Sequence, residues 1–404
     1  MQLRDVEALA SAPGRLLLAS LPPYDPALAV KLSEGLKSRG IDPSLVAATL
    51  TQSRLRAKAQ DKFGPFAANL MFTDQGLQQA TRLAVAAHRA QRYRAAGLDH
   101  VADLTCGIGG DALAMAALGV AVTAYEIDPV TAAVAKANLE QFDHCRVHTG
   151  NGLAADLDQV QAIVADPSRR QGERRLTNPT AYLPSLDQLL ALQGRRPLGL
   201  KLAPGLPHSL IPAQAEAQWV SVDGAVVEVG VYFGPLRQAD GAGRTALVLV
   251  GDQAHRLGPD QATDLAAGTL QRYLYEPDGA VIRAALLPAA AEQAGLAASL
   301  VAPRIAYLTA DQAVTSPFLT GYEVLDHFDF GLKRLRQYLR ARQVGCLTIK
   351  KRGTAVQPTE LRRQLDLKGD QTATIVLTRL GRQQSVLLVR PLQSPSQGGL
   401  GTVR

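Results

Sequence analysis

The stretch DLTCGIGGD, Asp103 to Asp111, holds three glycines and two carboxylates in nine positions, straight after the apolar run HVA. A strand that feeds a glycine-rich turn into a helix presents bare backbone N–H groups at a helix N-terminus, where a ligand can approach the main chain. Two further acids fall at corresponding places. Glu126 ends AVTAYE, and Asp166 ends AIVAD and opens the turn Asp166-Pro167-Ser168-Arg169. Acids at successive strand ends suit cationic and hydroxyl groups on a ligand rather than a metal, and no cluster with metal-ligand spacing is present in the sequence.

Two cofactors use a glycine loop of this kind. GIGGDA, residues 107–112, satisfies G-x-G-x-x-A, so a dinucleotide such as NAD must be weighed. Against it, Asp103 stands at the base of a loop lengthened by Thr105 and Cys106, and its charge opposes a pyrophosphate. The same carboxylate suits the ammonium of S-adenosylmethionine. Glu126 can accept from both ribose hydroxyls, a role that serves either cofactor, and the turn after Ala165 has no function in the dinucleotide reading. The candidate cofactor contacts are therefore Asp103, Thr105, Cys106, Gly107, Gly109, Glu126, Ile127 and Asn151. Asn151, in GNG, either holds an adenine amine or is a turn residue. Asp111 reads as the N-cap of the following helix, and Asp128 before Pro129 as an N-cap with proline at N1.

These residues need elements to hold them. From His100 onward, short apolar runs (HVADL, AVTAYEI, AIVAD, LGLKLA) alternate with helical segments (DALAMAALG, PVTAAVAKANLEQF), which predicts crossovers and a mostly parallel sheet over residues 96–252. WVSVD, AVVEVGVYF and TALVLV follow closely enough to suggest antiparallel additions, and GDQAHRLGPDQATDLAAG reads as a connector. Residues 1–95 read as a helical module that includes one long helix over GLQQATRLAVAAHRAQRYRAAG. Residues 265–325 read as a small mixed α/β unit, and 326–395 as a second. In the latter, GLKRLRQYLRARQ and PTELRRQL are helical, with Pro358 at N1, and ATIVLTRL and SVLLVRP form a hairpin. The tail QSPSQGGLGTVR reads as disordered.

Composition narrows the class. The chain has 404 residues, 47% apolar and 20% charged, with no apolar run long enough to span a bilayer and no secretory h-region. Cys106, Cys145 and Cys346 form neither a disulfide framework nor a zinc site, so a cytoplasmic address is expected. The net charge of +7 is uneven: residues 331–404 hold 15 Lys and Arg against 3 Asp and Glu. On one face, such a block is a footprint for polyanions; spread out, it is a solvated surface.

DLTCGIGGD, then AYEIDP, then ADPSRR resembles the class I S-adenosylmethionine-dependent methyltransferases. The chain is most similar to bacterial proteins that join this domain to a C-terminal THUMP-like domain and are regarded as RNA methyltransferases. LMFTDQGLQQATRLAVAAHRAQRY, KLAPG (Lys201–Gly205), IAYLTAD (Ile305–Asp311) and IKKRG (Ile349–Gly353) carry the likeness along nearly the whole chain. A more distant resemblance is to trimethylguanosine synthases. The likeness implies a Rossmann-like α/β sheet, with a helical module before it and ferredoxin-like and THUMP-like domains after it. It also implies S-adenosylmethionine as cofactor and a base in RNA as substrate. A small molecule, a protein, or a non-catalytic binding role are the alternatives.

In related amino-methyltransferases a D/N/S-P-P-aromatic turn holds the target amine. The corresponding catalytic candidates here are Asp166, Pro167 and Ser168, and Arg169 replaces the stacking ring. The turn also resembles D-P-x-R of uracil-5-methyltransferases, but the only downstream cysteine, Cys346, lies in the strand CLTIKK and is expected in the core. The substrate-binding candidates are the arginines Arg169, Arg170, Arg174 and Arg175 as a phosphate clamp, with Lys350, Lys351 and Arg352 as a second basic surface.

Overall fold

The computed structural model describes residues 1–171, 174–176, 178–238, 243–259 and 264–392, and the side chains of all of these except 170, 171, 174 and 175. The expectation for the tail from Gln393 onward lies outside the described residues. The chain divides into two compact units: Met1–Leu202 with Leu206–Glu216 and Gly230–Gln238, and Ala203–Gly205 with Ala217–Val229 and the rest from Ala239.

The first unit opens with α1 (Leu3–Ala10), α2 (Ala12–Ala19), α3 (Ala29–Ser38) and α4 (Pro43–Phe63). Asp42 caps α4 and Pro43 takes its first position, while Gly64 ends it at φ +53°. Ala48, Leu55, Ala59 and Phe63 fall on one helical face and enter the core, together with the polar Gln52. That buried amide is satisfied by both backbone groups of Phe72, at 3.0 and 2.6 Å. Asn138 does the same for Met71 and adds the carbonyl of Ile108. Two amides thus clamp Met71 and Phe72 against the helices, a strong constraint because either one left unpaired in the core is costly.

The single helix expected over residues 76–97 is two, α5 (Asp74–Gln79) and α6 (Leu83–Ala95). The break has a cause: Lys62 Nζ donates to the carbonyls of Leu77, Gln78 and Ala80, at 2.8, 2.9 and 2.8 Å, and Ala80 turns extended. Carbonyls taken by an ammonium do not need the next turn of helix.

Then come β1 (His100–Asp103), α7 (Gly110–Ala117), β2 (Ala121–Glu126), α8 (Pro129–Leu139), β3 (Cys145–Thr149) and β4 (Ala162–Ala165). A small pair, β5 (Arg170–Gln171) and β6 (Arg174–Arg175), precedes α9 (Leu186–Leu190) and β7 (Leu198–Leu202). The strands stand in the order β3-β2-β1-β4-β7, all parallel. Every residue of β4 and β7 is buried, as expected of strands covered on both faces. The order turns back between β1 and β4, so a crevice opens at their C-terminal ends, where open α/β sheets bind ligands.

Along the chain β8 (Glu216–Val222), β9 (Ala225–Tyr232), β10 (Arg244–Val250) and β11 (Gln253–Leu257) follow, with Glu216 and Gly230–Tyr232 in the first unit and the rest in the second. Here the expectation of purely antiparallel additions is corrected, since β10 lies parallel to β8. Part of the presumed connector is β11, hairpinned onto β10 through Asp252. The remaining elements are β12 (Tyr273–Pro277), α10 (Gly279–Ala284), α11 (Leu287–Gln293), β13 (Ser299–Ala302), β14 (Ile305–Ala310), β15 (Leu319–Asp329), α12 (Leu332–Ala341), β16 (Val344–Lys351), α13 (Pro358–Leu365), β17 (Gln371–Leu380) and β18 (Gln383–Pro391). Their seven strands make one sheet in the order β13-β14-β12-β15-β18-β17-β16. The two units expected at 265–325 and 326–395 therefore share a sheet, and β15 runs across the expected boundary. The β17–β18 hairpin and the helix beginning at Pro358 are as read from sequence.

Candidate active site

At the crevice, β1 ends in Asp103, whose residue is 3% exposed. Its carboxylate accepts from the N–H of Thr105 at 3.1 Å. Burial, and then the neighbouring Asp111, push its pKa up to about 8. A carboxyl so placed is protonated at neutral pH until a cation comes to it. Gly107 (φ +55°) and Gly109 (φ +85°) take the left-handed backbone that turns the loop, and Gly109 is the N-cap of α7. Asp111 is therefore not the cap expected from sequence. It sits in the first turn of α7, paired with the buried Arg89 at 2.6 Å and with the Thr81 hydroxyl at 3.2 Å. Asp128 caps α8 as read, with Pro129 behind it.

Glu126 is locked by two backbone donors, Gly107 N–H at 3.0 Å and Asp128 N–H at 2.9 Å, one on each carboxylate oxygen. Ile127 beside it is 72% exposed, an apolar face left bare at the cavity. Cys106 is buried, and burial followed by Asp103 raises its thiol pKa well above the ordinary range, so it is no nucleophile. Asn151 spends its side-chain oxygen on the N–H of Leu153, capping a short turn at the cavity wall. The turn reading of Asn151 is thus realised, and its amide nitrogen remains on the same wall.

The second strand end is tied to the first. Thr105 Oγ1 accepts from the backbone N–H of Asp166 at 2.6 Å. After Asp166, Ser168 pairs antiparallel with Leu183 through both backbone groups, so the turn is stapled to the segment leading into α9. Arg169 is half-buried on the cavity wall. The backbone of Arg170 faces that of Arg175 in the β5–β6 pair, but the side chains of Arg170, Arg174 and Arg175 lie outside the described residues.

A cavity of about 870 Å³ joins these parts. Asp103, Gly107, Glu126, Asn151, Asp166 and Ser168 all line it. Two contributors lie in stretches that carry the family likeness but were not among the site candidates. The segment Gln75–Thr81, held by Lys62, forms one wall. Lys201, the lone charge in the buried strand β7, hydrogen-bonds Asp166 Oδ2. The signal for Lys201 was present: a lysine inside an apolar strand is exceptional unless it is paired.

Lys350, Lys351 and Arg352 stand in the second unit, on and just after β16. Lys350 and Arg352 pair with the same carboxylate, Glu276, at 2.6 and 3.7 Å, and Lys351 reaches Gln357 at 3.5 Å. The basic surface expected there is thus partly neutralised by one acid. Cys346 on β16 is exposed rather than in the core. No described helix is long and apolar enough to cross a membrane.

Comparison with known proteins agrees with this geometry. The family model described as "Putative SAM-dependent methyltransferase" matches residues 34–157, and the one described as "THUMP domain-like" matches 319–391. A further model, a domain of unknown function, matches residues 2–59. Two uncharacterized S-adenosylmethionine-dependent methyltransferases of Mycobacterium tuberculosis, from strains CDC 1551 and H37Rv, are each 35% identical over 351 residues, 84% of this chain and 93% of theirs. The crystal structure of a "putative methyltransferase" from Porphyromonas gingivalis W83 superposes with a TM-score of 0.70 at 18% identity, over 92% of this chain and all of that one. It shows the shared fold. The glycine loop, the two strand-end acids and the relatives together make this chain a member of the S-adenosylmethionine-dependent methyltransferase family, with a C-terminal THUMP-like domain.

Proposed function

We propose that this chain methylates a base nitrogen in RNA, and that the crevice at the ends of β1, β2 and β4 holds both the cofactor and the target base. The observation that carries the reading is the placement of Asp166 in one cavity with Asp103 and Glu126. The cofactor fits the residues present: a buried carboxyl with a raised pKa at Asp103, bare backbone at Gly107 and Gly109, and a fixed carboxylate at Glu126. Asp103, with Thr105 and Cys106 behind it, would hold the ammonium. Glu126 would accept the ribose hydroxyls, and Ile127 and Asn151 would flank the adenine. When bound, S-adenosylmethionine supplies a methyl group on a positively charged sulfur.

The protein's own work is alignment, because an in-line displacement needs the acceptor lone pair held on the methyl carbon and water kept away. Asp166 and the carbonyls around Pro167 and Ser168 orient the acceptor, and the Thr105 and Leu183 contacts keep that turn from shifting. Arg169, with Arg170, Arg174 and Arg175 on the adjoining hairpin, would take phosphates on either side of the target. The THUMP-like match and the basic helix α12, which carries Lys333, Arg334, Arg336 and Arg340, support RNA as the substrate. Lys350, Lys351 and Arg352, two of them paired with Glu276, are further candidate contacts.

The test is incubation of the full chain with methyl-labelled cofactor and RNA from cells lacking the protein, followed by nucleoside mass spectrometry. Label in a base nitrogen is the expected result. Label confined to protein or to small molecules, or cofactor binding without turnover, would refute it.

A further inference from the structure

Asp166 is not a lone acceptor, since its Oδ2 is taken by Lys201, a residue only 8% exposed at the end of β7. An ammonium withdrawn from water persists only where something requires its charge or pairs with it. A neutral donor such as an amide or hydroxyl could orient Asp166 but would not cancel its charge. The consequence concerns the sign of the charge at the reacting centre. The Asp166–Lys201 pair is neutral as a whole, and so is Asp111 with Arg89. Glu126 is held by backbone N–H groups at the other side of the crevice, and Asp103 is reserved for the cofactor's ammonium. The half-buried Arg169 stands on the same wall. The acceptor turn therefore offers no uncompensated negative charge, because Lys201 cancels that of Asp166.

We infer that Lys201 selects an acceptor that reacts as an anion, so that the nitrogen methylated is a ring N–H of an oxo-base, guanine N1 or uracil N3, rather than an exocyclic amine. This rests on the RNA reading above. An exocyclic amine attacks as a neutral group: the N–C bond forms, the C–S bond breaks, and a full positive charge arrives on nitrogen beside the ammonium before a proton leaves. A ring N–H instead yields its proton to water first, helped by the nearby cation. The anion then attacks; the N–C bond forms, the C–S bond breaks, and both charges are cancelled. The ammonium opposes the first course and assists the second.

The decisive experiment has two parts. With the full chain, saturating cofactor and RNA from cells lacking the protein, mass spectrometry should place the methyl on guanine N1 or uracil N3, and the rate should rise with pH toward a plateau. Lys201→Met should lose about 100-fold at pH 6.5 and only a few-fold at pH 9.5, while Lys201→Arg stays near wild type. Unaltered cofactor binding and circular dichroism would separate this from a structural role. A methyl on an exocyclic amine or on a ring nitrogen that carries no N–H, or a Lys201→Met loss equal at every pH, overturns this inference alone. A methyl on a ribose hydroxyl overturns the base-nitrogen reading and the ring assignment with it. RNA left unmethylated overturns the RNA reading itself. If Lys201→Met does not fold, the wild-type product and pH profile still decide.

Discussion

The Thr105 hydroxyl accepts a 2.6 Å hydrogen bond from the backbone N–H of Asp166, joining the end of the first sheet strand to the turn that opens after the fourth. Thr105 therefore fixes the proposed acceptor site relative to the cofactor loop. Thr105→Val keeps the shape and removes the acceptor, leaving a partly buried N–H unpaired, at a cost of about 1–3 kcal/mol in stability. Turnover should fall about tenfold while the cofactor dissociation constant changes little, because misplacement of the turn affects alignment first. Steady-state kinetics beside calorimetry would check this; an equal loss in both would place Thr105 in cofactor binding instead.

Asp103 makes cofactor affinity pH-dependent. Its carboxyl is raised to about 8 by burial and by Asp111. Below that pH the empty site holds a proton, which must leave when an ammonium binds. Affinity should therefore rise with pH up to about 8, by at most about tenfold per unit, with proton uptake by the buffer on binding. Calorimetry in two buffers of different ionisation enthalpy measures this directly, and Asp103→Asn should abolish the proton release. The same shift acts on folding. The folded empty chain binds more protons at this site than the unfolded one between pH 4 and 8, so Asp103 lowers stability as pH rises through that window.

Arg92 and Glu216 form an ion pair in which both side chains are almost fully buried, with N–O distances of 2.8 and 3.3 Å. Arg92 also bonds the carbonyl of Leu236 at 2.8 Å and stacks on the ring of Tyr232 at 3.8 Å. Arg92→Leu strands a buried carboxylate and should cost about 3–5 kcal/mol. Adding Glu216→Gln should restore part of that. Urea unfolding of the two variants would check it, and a double variant no better than the single one would show that stacking dominates.

Lys62 holds the cavity wall formed by residues 75–81 through three carbonyls. Burial, then Lys201 and Arg82, lower its pKa to about 8. Lys62→Met should free that wall, seen as faster amide hydrogen exchange confined to residues 77–82 and a several-fold weaker cofactor affinity. Raising the pH through 8 should accelerate the same amides in the wild type, beyond the base-catalysed change seen elsewhere in the chain.

Much of the site was legible in the residues because it is local. The glycine turn, the proline-capped helix at Asp128 and the acids at strand ends each follow from a few neighbours along the chain, and they appear where read. The errors have non-local causes. Asp111 looked like a cap until Arg89, 22 positions earlier, claimed its carboxylate. One helix became two because Lys62, from a different helix, took its carbonyls. The parallel course of β10 beside β8 is a matter of strand pairing, on which apolar runs are silent.

Sequence alone determined the family resemblance, the parallel sheet and which strand ends carry acids, since periodicity, glycine and proline act over a few residues of backbone. Tertiary structure alone decided which charges meet. Lys201 and Asp166 are 35 positions apart, and they face each other only because β4 and β7 are neighbours in the sheet. Whether a carboxylate stands alone or is neutralised depends on that distance in space, and Coulomb energy depends on separation and burial rather than on order along the chain.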